Sequence, residues 1–536
     1  MYELRLEKQT ISEILAKNFS EYFLPSIQRE FVWDEDDIKE LIESILKGYP
    51  IGIIIMFKTE LDFPSIPIID TTEKNTNKEK YYILDGQQRL TSLLLIRDKW
   101  ELKRNGEIIK RTPIFFNPDD KKLRIKGKRE YGYDFASLVN MCIFRETPKD
   151  YLQKTLEYIR KNFLDRPIAF YIIEVKKTET AQREIYKDMA QIFTRINKAG
   201  VRLGNLEMFL SFFASASVGK DDINKLHKEL NHLYSMDLEP IIRFVFSNLK
   251  LSQHQISKIE SFNKALEEIE REYNDTQIKE IINNSKKSIT VVMELIKNSL
   301  GITNTQILPS ENVLVPLFKY VYNKKIEHFS QLPEEEIRKM IKWFILASYH
   351  GLYSSKTDTR LENDFAIIDN SDSFPLEKLL ESMYEKIKIK TIEEKDFKNI
   401  DINILRGVAG KKYLFILYIL LVKNNATDWT GFPLTHKSSY DIVKHHIFPK
   451  DELKERGEKE EDINHIGNLT FIDKGKNEEL QNILPEKYLQ DLDPDVLQKH
   501  FIPDNKKLWK IDNYDAFLDE RTNLIWQAFE SFMKSL

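Results

Sequence analysis

The chain has 536 residues, too many for one hydrophobic core, and this length predicts two to four domains. Lys and Arg total 81 against 85 Asp and Glu, so the net charge of −4 excludes a bulk cationic coat for nucleic acid while leaving a local binding face open. A single cysteine, Cys142, excludes an intrachain disulfide and a cysteine-based zinc cluster, and it fits a reducing compartment.

The first residues, MYELRLEKQTISEILAK, lack the uninterrupted apolar run of a signal peptide. The longest apolar stretches, FLSFFASASV and YLFILYILLV, fall short of a membrane span, so a cytoplasmic protein with no membrane partner is expected. Residues 7–18 read as a short helix, and Pro25 holds Leu24 extended. DEDDIKELIESILKGYP is a strong helix: Asp34 is placed to cap it, Ile38, Leu41, Ile42, Ile45 and Leu46 form one apolar stripe, and Gly48 and Pro50 stop it. IGIIIMF at 51–57 is a buried strand, residues 58–80 are a polar hairpin or loop, and YYILDGQQRLTSLLLIRDKW gives strand, turn and helix.

That turn carries chemistry. Asp85 and Gly86 break the strand, and Gln87, Gln88 and Arg89 follow where a helix N-terminus presents free backbone N–H groups. Such a site attracts phosphate, and an arginine beside it adds a fork of donors. A tight turn with a solvated arginine would read the same. The chain has no G-x-x-x-x-G-K-S/T, which argues against a Walker-type ATPase.

RTPIFFN is strand-like, and the basic run DDKKLRIKGKRE after it is either a solvated hairpin or a phosphate-backbone contact. RPIAFYIIEV at 166–175 is a buried strand; EIYKDMAQIFTRINKAGVRLGNLEMFLSFFASA reads as helix, glycine turn and helix. From about 205 to 395 apolar residues recur at helical spacing, as in ITVVMELIKNSL and EEIRKMIKWFILASYHGLYSS, which predicts a bundle of six or more helices. HGLYSSKTDTRLENDF at 350–365 resembles a short element of a known family, and that resemblance makes Tyr353, Ser354, Ser355 and Arg360 candidates for contact with DNA or a neighbouring domain. EKIKIKTIEEKDFKN at 385–399 is the best domain boundary, and KKYLFILYILLVKNN is a packed helix.

The most specific stretch is DIVKHHIFPKDELKERGEKEEDINHIGNLTFIDKGKNEEL, residues 441–480. Neighbours on a short strand point to opposite faces, so His445 and His446 should not do the same job. An imidazole can deprotonate water, and a divalent ion takes hard or borderline ligands. Asn477 stands where a helix would begin, able to cap it or to offer its carbonyl to a metal. His465 reads as peripheral. An amphipathic helix with Phe517, Ile525, Phe529 and Phe532 ends the chain.

HHIFP, IGNLT and DKGKNEEL, together with LPSIQREFVW, SILKGYPIG, YYILDGQQRLTSL and an IF-x-R-I-N-x-x-G element, resemble a known family. This is the modification-dependent (type IV, GmrSD-like) restriction proteins, which join an N-terminal DUF262 NTPase domain to a C-terminal DUF1524 HNH endonuclease domain. The resemblance implies an α+β multidomain fold. Residues 1–205 would form a ParB/sulfiredoxin-like nucleotide-binding domain, 206–395 a helical linking region, and 396–536 a ββα-metal (HNH) nuclease domain. On the same resemblance His446 would be the general base, Asn468 would hold the loop and the base in place, and His445 and Asn477 would bind the ion. A histidine in place of a carboxylate at the first ligand position leaves the choice open between Mg2+, Mn2+ and a softer ion.

In the first domain Asp85, Gly86, Gln87, Gln88 and Arg89 would form the nucleotide-phosphate and metal loop. Gln28 and Arg29 would reach the same pocket, and Arg195 and Asn197 would close over it. On chemistry alone Arg29 could equally pair a helix acid, and Arg195 and Asn197 could tie their turn to the sheet. The implied activity is an NTP-regulated, divalent-metal-dependent endonuclease acting on foreign, modified double-stranded phage DNA in anti-phage defence. GTP, ATP, UTP and CTP are left open as the nucleotide, as are a homo-oligomer and the modification, on a base or as a phosphorothioate. Two other functions remain: a DNA-binding regulator with both sites vestigial, and an RNA-directed nuclease using the same ββα site.

Overall fold

The structure is a computed structural model that describes all residues except 1, 26–27, 29–30, 64, 72–77, 126–131, 145–151, 176–181, 198–205, 207–208, 210–212, 214–218, 259–260, 388–391, 399–407 and 436–441. The chain divides into two compact units, Met1–Ser217 and Val218–Leu536.

The first unit is built on a six-stranded mixed sheet. Its strands are β1 (Tyr2–Thr10), β2 (Tyr22–Pro25), β3 (Ile53–Thr59), β4 (Ser65–Pro67), β5 (Lys80–Asp85) and, later in the chain, β11 (Pro167–Val175). Their spatial order is β1-β11-β3-β5-β2-β4. Between β5 and β11 lie a hairpin of β6 (Glu101–Arg104) and β7 (Glu107–Lys110), and a small sheet of β8 (Ile114–Phe116), β9 (Leu123–Ile125) and β10 (Tyr133–Asp134).

Helices α1 (Ile11–Leu15), α2 (Glu35–Lys47), α3 (Gln87–Arg97), α4 (Phe135–Phe144), α5 (Gln153–Ile159) and α6 (Gln182–Asn197) complete the unit. The stripe expected on α2 is its buried face. Asp34 and Asp37 form a reciprocal capping box at its start, and Gly48 ends it with φ of 76°, a left-handed conformation that favours glycine. The helix expected at 7–18 is shorter than its pattern suggested. Residues 7–10 belong to β1, which pairs with β11 from Tyr2 to Thr10, and the helix starts only where Thr10 and Glu13 cap each other. The stretch expected as a polar hairpin or loop at 58–80 contains β4 and the end of β3.

The second unit begins with a helical region. Its longest helix, Asp275–Leu300, is opened by an Asn274–Gln277 capping box and closed by left-handed Gly301. Leu314–Asn323, Glu334–Tyr349 and Thr357–Asp369 follow it. Tyr353, read as a candidate for contact with DNA or a neighbouring domain, is buried and donates its hydroxyl to buried Asp364. Arg360 donates to the Leu352 carbonyl, and Ser354 closes its own turn on the Gly351 carbonyl. All three therefore hold the bend between two helices. The apolar helix Val408–Lys423 places Tyr418 edge-on against Phe471, 5.6 Å between ring centres.

The remaining elements carry the histidine pair. Strand β12 (Ile442–His446) pairs antiparallel with β13 (Leu469–Asp473), and the helix Lys474–Leu480 follows β13 directly, capped by the Asp473 side chain. The last helix, Tyr514–Ser535, packs on the turn that precedes β13. Among the described residues no helix is long and apolar enough to cross a membrane.

Candidate functional site

In the first unit, β5 runs into α3 through Asp85 and Gly86. Gly86 has φ of 88°, and a Cβ there would lie 2.8 Å from Ile54 Cγ1, so both conformation and space demand glycine. No side chain caps α3 at Gly86. Gln87, only 3% exposed, has neither amide atom hydrogen-bonded to the protein. A buried amide in that state is costly and marks a place for water or a ligand.

The neighbouring residues are committed to structure. Gln88 Oε1 accepts from the backbone N–H groups of Val32 and Trp33, at 3.0 and 3.3 Å. Gln28 Nε2 donates to the carbonyls of Ile83 and Leu84, tying the chain after β2 to the end of β5. Arg89 donates to the Ile51 carbonyl at 2.6 Å and pairs with Asp85 at 3.0 Å. Gly52, with φ of 85°, lies so close to this guanidinium that a Cβ would sit 2.3 Å from Nη1. Arg89 is thus a clamp across the 48–52 turn. Arg195 is exposed on α6; Asn197 is in that helix but its side chain, like all of Arg29, lies outside the described residues. No hydrogen bond or ion pair among the described residues joins Arg195 to the Asp85 loop.

In the second unit the two histidines face different partners, as strand alternation requires. His445 is buried, with its Nδ1 donating to Asn477 Oδ1 at 2.8 Å and its ring edge-on to Trp429 and Tyr488. Burial lowers it to about 4, so it is neutral at physiological pH. Its Nε2 lies 3.4 Å from the Tyr488 hydroxyl, which donates to the Ile447 carbonyl at 2.7 Å.

His446 is half-buried, and its Nε2 donates to Asn464 Oδ1 at 3.0 Å, which leaves Nδ1 as the basic nitrogen. Asn464 is fixed in turn by its Nδ2, which donates to the backbone carbonyl and the carboxylate of Glu460. Burial is the main cause lowering the His446 pKa, and Lys444 and Lys450 add to it. It too is neutral, the state a general base needs.

Asn468 is fully buried and bridges two stretches of chain. Its Oδ1 accepts from the Phe448 N–H at 2.8 Å, and its Nδ2 donates to the carbonyls of Phe448 and Ile463 at 3.1 and 2.9 Å. Behind it lies Arg521, also fully buried, which donates to the carbonyls of Ile466, Gly467, Leu469 and His500. Burial brings this guanidinium down to about 9. His465, placed at the periphery by sequence, is buried and caps the same turn, accepting from the Gly467 N–H at 3.1 Å.

The structure therefore brings His445, His446, Asn468 and Asn477 to one hairpin and helix. It adds Asn464, Trp429, Tyr488 and Arg521, which sequence reasoning missed. Only Arg521 left a signal: it continues the i, i+4 spacing of Phe517, Ile525 and Phe529, and a cation in an apolar stripe signals a buried, bonded arginine.

Whether a divalent ion fits can be read from the donors. Mg2+ or Mn2+ with bonds of about 2.1 Å sets adjacent ligands roughly 3 Å apart, and the 2.8 Å between His445 Nδ1 and Asn477 Oδ1 is close to that edge. The proton now on Nδ1 would then sit on Nε2, facing the Tyr488 oxygen. Among the described residues no group of three His, Cys, Asp or Glu could hold a metal ion, and this pair would supply two donors.

Two comparisons with known proteins bear on these sites. Residues 11–214 match the family described as GmrSD restriction endonuclease, N-terminal domain. The chain is also similar to a protein of Methanocaldococcus jannaschii described as uncharacterized, at 21% identity and with 98% of each chain covered.

Proposed function

We propose that this chain is a nucleotide-responsive, divalent-metal-dependent DNA endonuclease acting on modified foreign DNA. The observation that carries the nuclease reading is the His445–Asn477 donor pair, held 2.8 Å apart beside a neutral His446 whose tautomer is fixed by Asn464. The whole arrangement lies on a strand pair followed by a helix, and we read it as a ββα-metal site. The nucleotide reading is supported by the match over residues 11–214, by the uncapped start of α3 and by the unbonded Gln87 amide.

In this reading His446 Nδ1 takes a proton from the attacking water while Asn464 steadies the imidazole through Nε2. His445 and Asn477 would hold the ion, which would supply positive charge opposite the scissile phosphate. Asn468 keeps the 447–448 turn, and with it His446, in place. At the first site, Gln87 and the backbone N–H groups of α3 receive a nucleotide phosphate.

The test uses the full chain, Mg2+ or Mn2+, each of the four NTPs, and supercoiled plasmid with and without base or phosphorothioate modification. His446→Ala is expected to lower nicking by roughly 100-fold or more; undiminished nicking would remove His446 as base. Asp85→Ala is expected to abolish the response to nucleotide while leaving metal-dependent nicking measurable. Preferential cleavage of RNA would replace the DNA reading, and inactivity of the unaltered chain under every condition would favour vestigial sites.

A further inference from the structure

The two edges of the six-stranded sheet are built differently. At one edge β4 is three residues long and ends in Pro67, a short strand of the kind that discourages further pairing. At the other edge β1 has nine residues, no proline and an unbroken register with β11. Residues 4–8 are exposed on both faces, with Leu4 at 57% and Leu6 at 62%. A long, flat, partly apolar edge strand is a template for another strand.

We infer that β1 pairs antiparallel with β1 of a second copy of this chain, with the two-fold axis through Leu6. Backbone geometry and charge select that register. Along an edge strand, alternate residues direct their N–H and C=O groups outward, so a symmetric pair must be centred on a residue and never between two. Centring on Arg5 would set Arg5 against Arg5 and Glu3 against Glu7 twice; centring on Glu7 would set Glu7 against itself. Centring on Leu4 opposes Glu3 with Arg5 but leaves residues 8–10 unpaired.

Centring on Leu6 uses all of Tyr2–Thr10. Leu6 then meets Leu6, with Leu4 of each copy diagonal to it on the same face, and Arg5 lies opposite Glu7 twice on the other. Glu7 forms no ion pair among the described residues. Arg5 already reaches Glu174 at 3.0 Å and retains further donors for a second carboxylate. The partner that fits this edge is the chain's own edge, and the inference is independent of the reaction proposed above.

The single native cysteine, Cys142, is buried, so an introduced thiol reports without interference. Leu6→Cys is expected to give a disulfide-linked dimer under mild oxidation, because residues opposed on the axis have Cα atoms within disulfide reach. Leu4→Cys is expected not to, since its two copies would be roughly 13 Å apart. Sedimentation equilibrium of the unaltered full chain at tens of micromolar should show dimer. Glu7→Arg, which turns two attractive pairs into repulsive ones, should weaken it about tenfold or more while circular dichroism stays unchanged. A monomer at these concentrations, a dimer without the Leu6→Cys cross-link, cross-linking through Leu4→Cys instead, or a dimer indifferent to Glu7→Arg would each overturn the inference.

Discussion

Asn468→Ala is expected to cost about 3 kcal/mol of stability in the second unit. The side chain is 0% exposed and makes three hydrogen bonds, all to backbone groups that are themselves enclosed. Deletion leaves the Phe448 N–H without its acceptor, and a stranded buried donor alone costs about 1–3 kcal/mol. The carbonyls of Phe448 and Ile463 lose one donor each, adding about 1 kcal/mol in total. Asn468→Asp sharpens the test. It keeps an acceptor for Phe448 but turns a carboxylate oxygen towards the two carbonyls, so at pH 7 it should be at least as damaging. Because burial raises such a carboxyl in the folded state, the unfolded chain gives up its proton first; the Asp variant should therefore regain stability as pH falls. Thermal and urea unfolding followed by tryptophan fluorescence would measure both variants. A change under about 0.5 kcal/mol for Asn468→Ala would refute the view that this side chain holds the turn.

Three further outcomes are expected. Asn464→Ala should lower nicking about tenfold and alter its pH profile, because the His446 tautomer is no longer fixed; an unchanged profile would exclude that positioning role. Gly52→Ala should weaken the first unit by about 1–3 kcal/mol and diminish nucleotide binding, since the added methyl displaces the Arg89 guanidinium from a backbone that is already left-handed; normal calorimetric binding of nucleotide would contradict this. His500 is fully buried between Thr470 and the Thr427 carbonyl, and burial lowers it to about 3. Between about pH 6.5 and 3 the unfolded chain binds this proton and the folded chain does not, so its contribution is intact above pH 6.5 and falls as pH drops, by about 2 kcal/mol at pH 5. His500→Gln should flatten that part of the stability curve.

The elements legible in the sequence were those whose cause is local. The stripe and caps of α2, the glycine stop at 48 and the break at Asp85–Gly86 each depend on a few adjacent residues. The end of β1, residues 7–10, reads as helix because its identity comes from β11, more than 150 residues later, and the EKQTISEILAK run carries helix-like spacing of its own. The same division applies to the sites. The HHIFP and IGNLT stretches are visible because they are short and unusual. Asn464, Tyr488 and Arg521 act through contacts made only after the chain has returned. At the first site, sequence could place Arg89 beside a phosphate-like turn, but not show that it is already spent on Asp85 and Ile51.

On the proposed reading, the second site places its charge in the substrate. His445 is neutral, held at about 4 by burial, and Asn477 carries no charge, so this pair offers an ion dipoles and no carboxylate. An ion gains little by leaving water for two neutral donors, and far more when a phosphate oxygen joins them. Ion binding and DNA binding should therefore be linked: each raises the affinity of the other by the same factor, as any two coupled equilibria must. Burial of His445 among Trp429 and Tyr488 is then not merely packing, since it keeps the imidazole unprotonated and able to coordinate well below neutral pH. His446 is kept neutral chiefly by burial, with Lys444 and Lys450 adding to it, for a different task. Adjacent residues on one strand thus acquire separate roles because the strand turns one ring towards the helix Lys474–Leu480 and the other towards Asn464.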